Sequence, residues 1–444
     1  MIKLLLSITI ILYLFSNCGD GFSTRNSASL GSSAGQKCTP LESTKDIKAL
    51  EAIFGTDDRT GIEENKDFLA WADSVLGYVA NEKINMSSGK VESYSDGETL
   101  GQFMNLCTNE RYWNMPMVAG CTGVLVAPNV MLTAGHCTGS ASQTNCMDNK
   151  YVFNLSYANN ASDPFQADEG SIYGCRQRLY YNNNNDHDLG LVRLDRQVTD
   201  RPYFPIHLDR ELPLGTKLVD VGHSEAMPLR ISPVGEYRGM KQGYRMHDLD
   251  VFGGNSGSPV FTRDGRVVGI HAKTMIIFSE GNFSSAHYYK EPGASCYSRY
   301  QTTNELQPGK TAEQVYAMAS DPSVLKSEFQ NRIVALVGKV TEAKQFGDQA
   351  VIEGWACAIA RDNPVEVTAL DSRGRDLDSV DADQESEDED VERFCQSGTT
   401  AHKFTVTTEY DPDGMSVELS MGSESIELEV TQFKAEEQNS QCAN

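Results

Sequence analysis

The stretch from Met117 to about Ile277 constrains the fold more than any other part of the sequence. It consists of short runs of Val, Leu, Ile, Tyr and Phe that are separated by Gly, Pro, Asn and Asp. Short strands bounded by turn residues are typical of sandwiches and barrels. Residues 258–272, SPVFTRDGRVVGIHA, predict a hairpin around Asp264-Gly265. The sequence therefore predicts an all-β fold for this region.

The segments on either side of this region have different patterns. Residues 43–55, 65–82 and Thr311–Leu336 space their apolar residues as helices do. Beyond Val337 the alternation typical of strands returns and predicts a small β-sandwich. The acidic run 381–392, DADQESEDEDVE, lacks the ligand spacing of an EF-hand, so a solvated loop is favoured over a calcium loop.

Length and charge limit the classes of protein and partner. A chain of 444 residues is expected to form two or more domains. Its formal net charge of -24 argues against a nucleic-acid partner, because phosphate binding requires clustered Lys and Arg. The oligomeric state is not determined by these features.

The N-terminus predicts export. Residues 1–18 combine the basic Lys3 with an apolar run that is too short to span a membrane, which is typical of a signal peptide. The end of this segment resembles a bacterial lipoprotein cleavage site, in which Cys18 would carry the lipid. Phe15 and Asn17 depart from the commonest pattern there, so secretion and lipid anchoring in the bacterial cell envelope both stay open. Residues 19–48 predict a flexible tether.

The cysteines of an exported chain are expected to form disulfides. The chain has eleven, and setting Cys18 aside leaves an even number. Cys137 follows a predicted strand and is placed to bridge back to Cys121, which would stabilise the region by about 3 kcal/mol. Cys146 with Cys175 and Cys107 with Cys296 are the working hypothesis for two further pairs. No CxxC pair or HExxH motif occurs, so neither a metal nor a cofactor is expected.

Three short motifs contain the parts that acyl transfer by a serine requires. A serine hydroxyl needs a base, a group that orients the base, and donors for the oxyanion. His136, in LTAGHC, follows a predicted strand and is the candidate base. Asp188 is the candidate orienting group, because it directly precedes a hydrophobic strand, whereas the neighbouring Asp186 and His187 do not.

Ser256, in the glycine-rich motif GGNSGSP, is the candidate nucleophile. The N–H groups of Gly254 and Ser256 can converge on one point in such a turn and form an oxyanion hole. Glycine is expected there because the turn favours positive φ and because a substrate must approach closely.

These motifs resemble those of the chymotrypsin-like and trypsin-like serine peptidases, in particular the bacterial branch that includes the glutamyl endopeptidases. TAGHC, DLGLVRL, GGNSGSPV and VVGIHA carry the resemblance, and AIFGTDDRTGI is similar to the start of the mature enzyme in the glutamyl branch. The resemblance extends from about residue 52 to 296 and implies a double β-barrel within residues 49–330. It also implies that Ser256 is the nucleophile, His136 the general base and then acid, and Asp188 the orienting group.

Asn255 departs from animal trypsins, in which an Asp at this position pairs with a newly cut N-terminal ammonium. A neutral Asn cannot form that ion pair. The departure implies that the oxyanion hole forms without an activating cut.

The substrate pocket residues implied by the resemblance are Asp250 and His271. Asp250 matches the aspartate that selects Arg or Lys in trypsins, whereas His271 matches the histidine that binds a substrate Glu in glutamyl endopeptidases. Val251 stands where that branch prefers a hydroxyl residue. Acidic preference, basic preference and a purely structural Asp250 in a hydrogen-bond network all stay open.

Residues 337–433 resemble an immunoglobulin-like accessory domain of secreted bacterial proteins, which places a β-sandwich domain at 331–436. The resemblance implies a bridge between Cys357 and Cys395 and a core position for Trp355, with an exposed sugar-binding Trp as the alternative.

Together these features predict an exported serine endopeptidase that hydrolyses peptide bonds in proteins or peptides through an acyl-enzyme. The alternative is a catalytically silent peptidase-fold protein that acts in binding or adhesion. An esterase or acyltransferase is a third possibility, weakened because the motif is not the G-x-S-x-G elbow of α/β-hydrolases.

Overall fold

Strands make up most of the regular structure in the computed structural model. The described residues all belong to one compact unit, Leu50–Asn444. The structure describes residues 53–139, 143–157, 163, 165–184, 187–209, 211–241, 243–278, 288–290, 293–299, 301–302 and 312–435. The predicted signal peptide, Cys18 and the tether lie outside the described residues.

Most of the strands in the N-terminal three quarters are short, and the two longest have 12 residues each. In chain order they are β1 (Ile53–Phe54), β2 (Thr60–Gly61), β3 (Val75–Ala80), β4 (Ile84–Asn85), β5 (Lys90–Val91), β6 (Thr122–Ala127), β7 (Val130–Thr133), β8 (Asn149–Phe153), β9 (Ile172–Tyr173), β10 (Cys175–Asn183), β11 (Asp188–Leu194), β12 (Lys217–Gly222), β13 (Arg230–Lys241), β14 (Tyr244–His247), β15 (Pro259–Thr262), β16 (Val267–Phe278), β17 (Tyr288–Tyr289), β18 (Ser298–Arg299), β19 (Gln301–Thr302) and β20 (Ala312–Ser320). The α-helices are α1 (Leu69–Ala72), α2 (Leu100–Phe103), α3 (Lys326–Asn331) and α4 (Glu389–Cys395).

Two seven-stranded sheets form the body of the molecule. The first has the order β10-β11-β7-β6-β3-β8-β9 and forms a half-barrel. The second has the order β12-β15-β16-β20-β14-β13-β2, and pairing of β12 with β13 closes six of its strands into a barrel. The predicted all-β, double-barrel architecture is confirmed, with the difference that one of the two barrels is only half closed.

Two of the three segments with helical spacing are only partly helical. Short helical turns form in them at 66–72 and 322–331, as predicted. Of the third segment, 43–55, only residues 53–55 are described, and Ile53–Phe54 is β1.

Each of the two partly helical segments also contains a strand. In 65–82, the apolar run Val75–Ala80 is β3, which lies between β6 and β8 in the first sheet. In Thr311–Leu336, residues Ala312–Ser320 are β20, between β14 and β16. The helical prediction was wrong for β3 because a strand buried on both faces carries apolar residues without strict alternation.

The C-terminal strands form a β-sandwich. They are β21 (Leu336–Phe346), β22 (Gln349–Ala358), β23 (Glu366–Asp371), β24 (Asp376–Asp381), β25 (Gln384–Glu385), β26 (Ala401–Glu409), β27 (Met415–Met421), β28 (Glu424–Glu429) and β29 (Lys434–Ala435). One sheet has the order β25-β26-β22-β21-β29 and the other β24-β23-β27-β28. The acidic run is not a single loop, because it contains β25 and the start of α4.

The sandwich shares a hydrophobic core with the barrels. Trp355 is 2% exposed and packs in the same cluster as Ile206 and Leu208, so it occupies a core position. Its ring stacks on Phe394 of α4 at a centroid distance of 5.9 Å. None of the helices in the described residues has the length and apolar character needed to cross a membrane.

Candidate active site

His136 and Asp188 form a hydrogen-bonded pair at the first sheet. His136 lies in a single 3-10 turn, Gly135–Thr138, directly after β7, and Asp188 is the first residue of β11, which pairs with β7. The Nδ1 atom of His136 lies 2.6 Å from Oδ2 of Asp188, and the backbone N–H of His136 donates to Oδ1 over 2.9 Å. The carboxylate therefore fixes both the ring and the backbone of His136.

This pair shifts the pKa values of both groups. Burial alone would lower the pKa of His136, but the charge and hydrogen bond of Asp188 outweigh it and hold that pKa above 6.5. Burial would raise the pKa of Asp188, but His136 holds it below its ordinary value of 3.8. Asp188 is buried. Its backbone N–H donates to Oγ of Ser320 over 3.0 Å, which further fixes its position.

The loop that carries Ser256 packs against the turn of His136. The N–H of Thr122 donates to the Ser256 carbonyl over 2.8 Å, and Sγ of Cys137 lies 3.5 Å from the same oxygen. Ser256 is half-buried, as is His136, so both are accessible from outside. No hydrogen bond between the Ser256 hydroxyl and the His136 ring occurs among the described residues.

Gly254 adopts a conformation that favours glycine. Its φ is +95°, and a Cβ there would overlap the carbonyl oxygen of His223 and the nitrogen of Ala226. The Gly254 carbonyl accepts from Oγ1 of Thr122 over 2.8 Å, so it is turned into the protein. Within the part of the chain that the structure describes, the N–H groups of Gly254 and Ser256 have no acceptor. These two groups are the predicted oxyanion donors.

The side chain of Asp250 binds the segment 53–61, which we call the N-terminal strap. Its Oδ1 accepts from the Phe54 N–H over 2.7 Å and its Oδ2 from the Asp58 N–H over 3.0 Å. Asp250 is 1% exposed. Burial raises its pKa to about 7 and that of Asp58 to about 6. These contacts match the alternative in which Asp250 belongs to a hydrogen-bond network.

The strap also places a buried guanidinium beside the loop 223–227. Nη1 of Arg59 lies 2.9 Å from Oε2 of Glu225 and donates to Oγ of Ser224 over 2.9 Å. The other oxygen of Glu225 binds Nε of Arg299 at 2.7 Å and the Tyr288 hydroxyl at 2.6 Å. Burial would raise the pKa of Glu225, but the two guanidinium groups hold it below 4.5.

His271, the second predicted pocket residue, is fully buried on β16. Its ring packs edge to face against the ring of His247 at 5.8 Å. Burial lowers the pKa of His247 to about 3. Neither Asp250 nor His271 presents an exposed side chain.

Four disulfides hold the described part of the chain together. Their pairs are Cys107–Cys296, Cys121–Cys137, Cys146–Cys175 and Cys357–Cys395. These are the pairs that the sequence analysis expects. Sγ atoms of Cys121 and Cys137 lie near the His136 ring, but a disulfide offers no thiolate to a metal.

The sequence analysis missed Thr122 and Asp220, which support the Ser256 loop from the two sheets. Oγ1 of Thr122 holds Gly254, and the carboxyl group of Asp220 binds Asn255. A signal for Asp220 was present, because a carboxylate within the apolar strand KLVDVG must have a buried partner. Thr122 had no comparable signal.

Comparison with known families agrees with this geometry. Residues 121–270 match the model of the trypsin-like peptidase domain, and this range contains His136, Asp188 and Ser256. The chain therefore contains a trypsin-like peptidase domain. No curated protein sequence matches the chain.

Solved structures of peptidases are similar to it at low identity. A Glu endopeptidase is 18% identical over 50% of this chain and 87% of that chain, with a TM-score of 0.33. The VesB protease of Vibrio cholerae is 13% identical over 82% of this chain and 96% of that chain, with a TM-score of 0.32. A serine endoprotease from Yersinia pestis is 16% identical over 47% of this chain and 56% of that chain, with a TM-score of 0.29.

Proposed function

We propose that the protein is an exported serine endopeptidase. The observation that carries the proposal is the contact of 2.6 Å between His136 and Asp188 beside a loop whose two N–H groups at Gly254 and Ser256 have no acceptor among the described residues. The four disulfides are typical of an oxidising compartment and support export. Residues 49–330 are proposed as the peptidase domain and 331–436 as its accessory domain.

In the proposed reaction, Oγ of Ser256 attacks the substrate carbonyl carbon while Nε2 of His136 accepts the hydroxyl proton. The oxyanion of the tetrahedral intermediate accepts from the N–H groups of Gly254 and Ser256. The C–N bond breaks, the leaving amine takes the proton from His136, and an acyl-enzyme remains. Water then releases the acid by the same steps, with His136 first as base and then as acid. Catalytic hydrogen bonds to a serine often tighten only when substrate binds.

A fluorophosphonate probe tests the proposed nucleophile. We expect the wild-type protein to be labelled, and the Ser256→Ala variant to remain folded but unlabelled. A folded wild type without labelling would favour the silent binding protein. Labelling together with hydrolysis of esters but not of peptides would favour the esterase.

We further propose that the charge of Asp250 does not select the substrate side chain. A preference for Arg or Lys would require a carboxylate that faces the substrate pocket. Both carboxylate oxygens of Asp250 instead accept hydrogen bonds from the strap. A role of His271 in binding a substrate carboxylate stays a hypothesis. A library of fluorogenic peptides that differ only in the residue before the cut distinguishes acidic from basic preference.

We also propose that the protein is active without proteolytic cleavage of its own chain near residue 52. A protein that begins at Lys37 should hydrolyse a protein substrate without further processing. Activity that appears only after cleavage near that position would contradict this part of the proposal.

A further inference from the structure

A buried carboxyl group binds the residue directly before the proposed nucleophile. Oδ1 of Asp220 accepts from Nδ2 of Asn255 over 2.5 Å. Oδ1 of Asn255 in turn accepts the Phe252 N–H over 3.2 Å, so both ends of this amide are bound. The Asn255 side chain is thereby held between strand β12 and its own loop.

The same carboxyl group binds the other flank of Ser256. Oδ2 of Asp220 accepts from Oγ of Ser258 over 2.5 Å. Asp220, Asn255 and Ser258 are each at most 1% exposed. One side chain therefore fixes the residues at positions -1 and +2 relative to Ser256, in a region that is shielded from bulk solvent.

The position of Asp220 is itself fixed by the barrel. Its backbone pairs with Ser232 of β13 on one side and with Val260 of β15 on the other. Gly222 lets the loop approach, because a Cβ there would overlap Cβ of Ser258 and Nδ2 of Asn255. The carboxyl group thus connects a rigid strand to the loop.

We propose that Asp220 is a positioning residue that holds the Gly254 and Ser256 N–H groups in their oxyanion-binding arrangement. The inference rests on the proposed peptidase function. Asn255 lies between those two N–H groups, so rotation of its peptide units would turn one of them away. The amide of Asn255 donates and the carboxyl group of Asp220 accepts, so the two side chains are complementary. This pair needs no N-terminal ammonium group to hold the loop.

Exchange of the two side chains tests this pairing. In Asn255→Asp, two carboxyl groups face each other in a buried site and the donor to Asp220 is lost. In the double variant Asp220→Asn with Asn255→Asp, the amide at 220 can donate to position 255 while its carbonyl accepts from Ser258. The exchange therefore restores one carboxyl group and one amide with their polar contacts.

We expect Asn255→Asp to lower kcat and the rate of fluorophosphonate labelling by about tenfold to a hundredfold, with a smaller change in KM. The exchanged double variant should regain most of both rates. Asp371→Asn, which changes a buried carboxylate in the sandwich, is the matched control and should leave both rates unchanged. Thermal unfolding of each variant separates a loss of rate from a loss of folded protein.

The outcomes distinguish this inference from the proposed function. A wild type that reacts no faster with the probe than Ser256→Ala overturns both. A reactive wild type with an equally reactive Asn255→Asp overturns the positioning role alone. A folded double variant that stays as slow as Asn255→Asp also overturns it, because a complementary pair would then be insufficient.

Discussion

At the scale of single residues, the contact between His136 and Asp188 determines at which pH His136 could act as the general base of the proposed reaction. Only neutral imidazole can accept the serine proton, and Asp188 stabilises the protonated ring. The pKa of His136 is raised above 6.5 by this carboxylate, although burial opposes the shift. We therefore expect the proposed activity to be lost on the acid side at a pH higher than for an isolated histidine.

The pH dependence of kcat/KM checks this shift. We expect the value to rise with pH through a midpoint above 6.5, because deprotonation of His136 produces the active form. In Asp188→Asn the charge that raises the pKa is removed, so the His136 resonance should titrate at lower pH when followed by NMR. Resonances of the other histidines serve as the internal control. An unchanged His136 titration would contradict the assigned cause.

Asp250 matches the pocket aspartate of trypsins in sequence position, but its carboxylate contacts the N-terminal strap. We expect Asp250→Asn to leave the ranking of substrates in the peptide library unchanged, because the carboxylate binds Phe54 and Asp58 rather than a ligand. Thermal stability should fall, since the amide can accept only one of the two strap N–H groups. Loss of a preference for Arg or Lys in the variant would show instead that the charge faces substrate.

At the scale of structural elements, the strap connects the N-terminal chain to the loops of the site. Its strands β1 and β2 pair with β19 and β13. Arg59, which lies between β1 and β2 in the sequence, is completely buried beside Glu225. Ala226, the residue after Glu225, packs against Gly254. Arg59 thus supplies one of the two buried positive charges that pair with Glu225 on this side of the Ser256 loop.

Removal of this charge should be costly. We expect Arg59→Met to lower the free energy of unfolding by about 3–5 kcal/mol, because the buried Glu225 and the half-buried Asp57 each lose a charged partner. Labelling of Ser256 should also slow in the folded fraction, since Ala226 supports Gly254. Denaturant unfolding and probe kinetics measure the two effects.

Lys217→Ala is the matched control for that variant. Lys217 pairs with Glu236 on the surface, where ion pairs contribute little. Its unfolding curve and labelling rate should resemble those of the wild type. Equal effects of the two substitutions would contradict a specific role of the strap.

At the scale of the whole molecule, direct polar contacts join the sandwich to the barrels. Nη1 of Arg193, on the strand that begins with Asp188, lies 2.6 Å from Oε2 of Glu424 in the sandwich. The hydroxyl of Tyr203 donates to the Gly338 carbonyl over 3.0 Å. Such contacts, together with the shared core, favour unfolding of both parts as one unit.

Calorimetry of the full chain checks this coupling. We expect one thermal transition, because separation of the sandwich would expose the shared core. Tyr203→Ala should lower its midpoint and destabilise the protein by about 3 kcal/mol, since the ring also packs on Phe394 at 5.4 Å. Two well-separated transitions in the wild type would show that the parts unfold independently.

The sequence by itself determined the all-β class, and its local motifs brought His136, Asp188 and Ser256 forward as candidates. Local patterns suffice for these because turn glycines, strand alternation and residue chemistry are short-range properties. The helical prediction for 75–80 was wrong, since burial of both faces of that strand depends on its neighbours β6 and β8.

Only the tertiary structure decided the partners of buried polar groups. Asp250 is 192 residues from Asp58 along the chain, and Arg59 is 166 from Glu225. Asp220 lies 35 residues before Asn255. A buried charge must find a partner, but the sequence does not specify which one, because closure of the barrel brings distant residues together.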